Sequence, residues 1–296
     1  QYGLTAIFIA IAAMMQAFAS LAMPSYIFKF HPYYQHHLPA NKNDMTSWAL
    51  LIGCLGFLLV TLAGWIFKDL VIRKFGQNSP DLVTYYYWIF PMGFGLTLYT
   101  ILEAYTWSIH KPVLTNFLKE ILWRLFTTIL IILFIFHVIG SFDAFIKLYA
   151  FAYPGIALTL LIYLIATKQI HFTFKLSKVT RRYFKKIISL CLFAYSGMLV
   201  FALSAVFDTL VIAAVLNDGL SKAGIFGLAQ IMTSVIQAPQ RGIIAASIAH
   251  LSKAWKDKNM ELLQKIYQRS SINLLLFAAG IFALIALNYT EAIYTL

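Results

Sequence analysis

The chain has 296 residues; 61% are apolar, only 11% are charged, and the mean hydropathy is +0.77. A soluble domain is about half apolar and about a quarter charged, so these proportions exclude a disordered chain, a nucleic-acid-binding domain and an ordinary soluble enzyme, and describe a polytopic membrane protein. The net charge of +12 then reads as Lys and Arg gathered in cytoplasmic loops, with no nucleic-acid partner.

A spanning helix needs about 20 mostly apolar residues. Eight stretches qualify in chain order: Leu4–Phe28, Ser47–Phe67, Val83–Ser108, Phe117–Ile139, Ala144–Ala166, Ile187–Leu216, Ala223–Leu251 and Ile272–Leu287. Strands of about ten residues with alternating polarity, the mark of a membrane β-barrel, are missing. The expected fold class is therefore all-α, a polytopic membrane helix bundle. Cys54 and Cys191 both lie in apolar runs and suggest no disulfide framework. The first apolar run lacks the basic flank and cleavage site of a signal peptide. Both ends of the chain are apolar, which predicts a piece of a longer protein.

The loops set the sidedness. Lys168–Lys186 carries Lys168, Lys175, Lys178, Arg181, Arg182, Lys185 and Lys186 and no acid. Lys253–Arg269 carries Lys253, Lys256, Lys258, Lys265 and Arg269 against Asp257 and Glu261. Both read as cytoplasmic by the positive-inside rule. Alternation also puts Lys29–Met45 and Lys111–Asn116 inside. It puts the connections at Ser141 and Asn217–Gly219 outside, together with Lys68–Asp81, although that loop is mildly basic. The basic loops are expected to meet anionic lipid headgroups. Lys253–Arg269, with Trp255, Leu262, Leu263, Ile266 and Tyr267 among its charges, reads as an interfacial helix.

Shifting the sequence by 221 residues lays Tyr2-Gly3-Leu4 on Ala223-Gly224-Ile225, Gln16-Ala17 on Gln237-Ala238, and Ala49–Phe67 on Ser270–Asn288. The offset covers six spans, so the two units share one orientation in the membrane. The expected organisation is an N-terminal lobe at 1–167, a basic linker at 168–186 and a C-terminal lobe at 187–296. These are spans two to nine of a protein with at least twelve.

Ionisable groups in hydrocarbon are costly and usually face a cavity or a partner. Gln230, Ser234, Gln237 and Arg241 follow the 4, 3, 4 spacing of one helix face, beside Pro239. That stripe suits a water-filled path for an anionic ligand; the plainer reading is an arginine satisfied by neighbouring helices. Asp208 lies one turn beyond Ser204, either coupling transport to an ion or meeting water in the outer leaflet. Glu103 is expected to pair with a cation such as Arg124, or else both face the cavity of Arg241. His31, His36 and His37 have poor spacing for a metal site. Trp48, Trp65 and Tyr85–Trp88 read as interface anchors. Asn288-Tyr289-Thr290 fits a glycosylation sequon that is common by chance. No nucleotide, cofactor or hydrolase motif occurs, so neither a cofactor nor an enzyme is expected.

The run Gly224-Ile225-Phe226 … Gln237-Ala238-Pro239-Gln240-Arg241 … Lys253-Ala254-Trp255-Lys256 … Gln268-Arg269-Ser270-Ser271-Ile272-Asn273-Leu274 resembles bacterial oligosaccharide flippases of the multidrug/oligosaccharidyl-lipid/polysaccharide exporter superfamily. Asp208, Leu102-Glu103-Ala104-Tyr105 and Leu118-Lys119-Glu120 look like its polysaccharide and lipopolysaccharide biosynthesis branch. The resemblance implies two six-span lobes in a V-shaped exporter fold of the cytoplasmic membrane, with alternating access. The implied substrate is an oligosaccharide on a polyprenyl pyrophosphate, moved with a possible coupling ion, proton or sodium. Arg241 is the best cation for a pyrophosphate head. A cation-coupled multidrug exporter of the same superfamily and a membrane-embedded glycosyltransferase or polymerase are the alternatives.

Overall fold

The computed structural model describes the backbone of residues 2–77 and 79–295, and the side chains of these except 2, 40, 228, 231–233, 235–239, 241 and 289–295. The described chain is all-helical, 86% helix with no strand. Four helices are long and apolar enough to cross a membrane: Met45–Ile66, Phe142–Ala166, Lys178–Val215 and Met260–Asn288. A bent pair, Gly3–Ala19 with Met23–His37, makes a fifth.

In chain order, α1 (Tyr2–Ala19) and α2 (Met23–His37) meet at a 50° bend. Pro24 lies in the first turn of α2. It has no N–H to give to Ser20 and its ring crowds that carbonyl, so α1 cannot run on. Leu21 and Ala22 turn the corner at φ 46 and 57, left-handed backbone that costs non-glycine residues about 1–2 kcal/mol each. α2 continues past the expected span, so the first half of Lys29–Met45 is buried helix: Phe30, His31 and Tyr34 are all in the core.

After α3 (Met45–Ile66) come the short α4 (Lys68–Phe75) and α5 (Pro80–Thr84), then α6 (Ile89–Ser108). α6 is the axle of the first compact unit and packs against α10, α1, α2 and α3. It carries Gly93, Gly95, Thr97, Thr100, Glu103, Thr106 and Ser108. Other helices cover it, so it needs no uniformly apolar surface. Among the described residues, four or five helices are thus both long and apolar enough to span, against eight apolar stretches in the sequence. Two approaches depend on small residues. A Cβ on Gly56 would strike the backbone of Ala19, and one on Gly95 would strike the backbone at Tyr153–Pro154.

α7 (Pro112–Asn116) leads through a π-helical turn, Phe117–Leu122, into α8 (Trp123–Ile135). α9 (Phe142–Ala150) is capped by Ser141, whose Oγ accepts from the Ala144 N–H at 3.2 Å. α10 (Ala152–Ala166) follows it in the same span. α11 (Lys178–Val215) is 38 residues long, about 57 Å against a hydrocarbon core of about 30 Å. Its basic start therefore projects beyond the apolar layer. α11, assigned by its sequence to the second lobe, packs on α1 and α2 within the first compact unit, which runs to Gly227 inside α12 (Gly219–Lys256).

The second compact unit, Leu228–Leu296, holds the rest of α12 and α13 (Met260–Thr295). The helices break at Asp257–Asn259, where Asn259 Oδ1 accepts from the Leu262 N–H at 3.0 Å. The expected interfacial helix is thus the ends of two long helices and a turn between them.

The two ends of the first unit collect the loops that alternation assigns to each side. Tyr105 Oη donates to Gln169 O at 2.6 Å and the Thr173 N–H to Ser47 Oγ at 3.0 Å, joining α6 and α3 to the strap after α10 at one end. Ser79 Oγ donates to Ala213 O at 2.9 Å at the opposite end. Leucines 55, 58, 59 and 62 of α3 and Leu192, Phe193, Val200 and Phe201 of α11 are exposed, a surface made for lipid tails.

Candidate functional site

The end of the first unit that holds the α2–α3 loop and the start of α11 carries a buried polar chain. Asp44 is fully buried. Its Oδ2 accepts from the Ser177 N–H at 3.0 Å and from Thr180 Oγ1 at 2.8 Å. Thr180 Oγ1 also lies 2.6 Å from Tyr34 Oη, which lies 2.7 Å from Tyr26 Oη. Ser177 caps α11 through the Thr180 N–H at 3.1 Å. Asn43 Oδ1 accepts from the Met45 N–H at 3.1 Å, so Asp44, at the N-cap position of α3, makes no local bond. Its carboxylate serves the N-terminus of α11 instead, where helix dipole and donors both favour negative charge.

Beside this chain lies a cavity of about 300 Å³. Its walls include His31, Gln35, Asn43, Thr46, Gln169 and His171, with Tyr105 packed edge-on to His31 at 5.8 Å. Four segments form it: α2 with its following loop, the start of α3, the end of α6, and the strap after α10. None of the lining residues is acidic. Gln169 Oε1 and His171 Nδ1 are buried without a protein hydrogen-bond partner. An acceptor, imidazoles and amides around an aromatic edge can bind a compact ligand rich in hydroxyls, since each such group exchanges water for a partner of equal polarity. This site was missed in the sequence, where His31 reads as a loop residue.

The sequence-derived candidates fall into three groups. Glu103 is buried and its Oε2 lies 3.9 Å from Lys119 Nζ. Arg124 Nη2 instead donates to Glu120 Oε2 at 2.7 Å, so the expected partners are exchanged. Glu120 and Arg124 are an ordinary i, i+4 pair on one helix, while Lys119, in the same π-helical turn as Glu120, reaches Glu103 on α6. Asp208 is exposed on α11, as is Gln230 on α12, and Ser234 is half-buried. The side chains of Gln237 and Arg241 lie outside the described residues. Among the described residues no group of three His, Cys, Asp or Glu could hold a metal.

No family model, curated protein or solved structure matches the chain.

Proposed function

We propose that this protein is a membrane exporter that moves a lipid-linked oligosaccharide from the cytoplasmic to the outer leaflet of a bacterial inner membrane. The observation that carries this reading is the cavity of about 300 Å³, set at one end of an otherwise apolar helical unit and lined by His31, Gln35, Asn43, Gln169 and His171. In a lipid-facing protein, a pocket of amides and imidazoles has a use for sugar hydroxyls that it would not have for a hydrocarbon or a cationic drug. The resemblance of Gly224–Leu274 to oligosaccharide flippases supports the same reading. In it, the exporter-type fold has two parallel lobes, Gln230, Ser234 and Gln237 form an uncharged track, and Arg241 holds the pyrophosphate. Asp208 couples transfer to an ion gradient.

The test is a leaflet assay on cells. Loss of the full-length protein should strand lipid-linked oligosaccharide on the cytoplasmic face. The Gln169→Leu/His171→Leu pair should lower transfer at unchanged protein level. Normal transfer in cells lacking the protein would overturn the reading.

A further inference from the structure

A second cavity, independent of the transport reading, opens between α3 and α11. It holds about 540 Å³ and its walls are almost wholly apolar. Leu51 and Leu55 of α3 face Phe184, Ile188 and Leu192 of α11 across it. Along α11 it runs from Thr180 to Tyr195, about 22 Å by helical rise, which is one leaflet of hydrocarbon, about 15 Å, plus the interface above it.

Charge says what covers it. Arg181 and Lys185 stand on the helical stripe of Ile188 and Leu192, one to three turns before them, and flank the Thr180 end of the groove. Both are exposed, and neither forms an ion pair among the described residues. The nearby carboxylate of Asp44 is fully buried, with one oxygen held by Ser177 and Thr180.

We infer that this groove binds an anionic glycerophospholipid of the inner leaflet, with one acyl chain between α3 and α11 and the phosphodiester at Arg181 and Lys185. The order of phosphate and chain in such a lipid matches the order of cations and apolar wall.

The experiment is lipid binding to the full chain in nanodiscs or by native mass spectrometry, a readout that needs no transport. Phosphatidylglycerol should bind more tightly than phosphatidylcholine of the same chains. Arg181→Gln/Lys185→Gln should remove that preference, by about fivefold for each cation. Leu51→Trp, which fills the groove, should reduce binding of both lipids. Equal binding of the two headgroups, or indifference to Arg181→Gln/Lys185→Gln, would overturn the assignment. So would stronger competition from a polyprenyl phosphate, which would give the groove to a carrier lipid.

Discussion

Asp44 and Thr180 stand 136 positions apart and are joined by a buried 2.8 Å hydrogen bond. The bond ties the loop before α3 to the first turn of α11, and so fixes the strap Gln169–Ser177 that closes the polar cavity. Removing the carboxylate leaves the Ser177 N–H and the Thr180 hydroxyl without their acceptor in a site water does not reach. Asp44→Ala should therefore lower stability by about 2–4 kcal/mol, from two bonds to a charged group worth about 1.5–3 kcal/mol each before relaxation. Asp44→Asn keeps one acceptor oxygen and should lose less. Thermal unfolding of purified protein followed by tryptophan fluorescence measures both; equal midpoints for Asp44→Ala and wild type would show that the clamp contributes nothing.

That clamp marks where the sequence could be read and where it could not. The apolar runs of α3 and α11 are long, so hydropathy located them. Pro24 carries a visible signal for the bend after α1, but an apolar run of normal span length masked it. Asn43 makes a local bond to the Met45 N–H. Asp44 depends instead on a partner at Ser177, 133 positions away, which no local pattern encodes. The π-helical turn at Phe117–Leu122 has no sequence signature, and the contact of Lys119 with Glu103 joins two helices, which no spacing within one helix encodes. The polar cavity needs four segments at once, each unremarkable alone.

Gly95 on α6 lets α10 approach until backbone meets backbone at Tyr153–Pro154. Gly95→Ala must push the helices apart or bend one, and overpacking of this kind costs about 1–3 kcal/mol. Gly155, on α10 itself, has nothing within 4 Å of a built Cβ. There the same change should be neutral or stabilising by up to about 1 kcal/mol, the helix propensity gain over glycine. Unfolding midpoints of the two variants should move in opposite directions or differ by the cost at Gly95; equal losses would mean that the close approach is not what the glycine is for.

Sidedness can be read with cysteines. Cys54 and Cys191 are the only native thiols, so replacing both gives a clean background. Lys175 and Lys74 are exposed, near opposite ends of the first unit. An impermeant thiol reagent on intact cells should label Lys74→Cys and spare Lys175→Cys, because the strongly basic Lys168–Lys186 resists translocation. The reverse pattern would invert the topology and remove the mildly basic Lys68–Asp81 loop from the outside.

Glu103 is the sharpest test of structure against transport. It is buried in the central helix, with Lys119 Nζ at 3.9 Å. A buried carboxylate that loses its cation keeps its desolvation cost without the attraction that offset it. Lys119→Ala should therefore destabilise more than its partly exposed position suggests. Glu103→Gln removes the charge that needs compensation, so the double variant should be more stable than the sum of the single losses predicts, with a coupling of about 0.5–3 kcal/mol. If the pair is a structural tie, transfer per folded molecule should hold in Glu103→Gln. If the glutamate faces substrate or a coupling ion, transfer should collapse in Glu103→Gln while the unfolding midpoint stays near wild type. We expect positive coupling with retained transfer, because Glu103 has Lys119 beside it and Arg124 is held by Glu120. Measuring both quantities on the same four proteins separates the two roles.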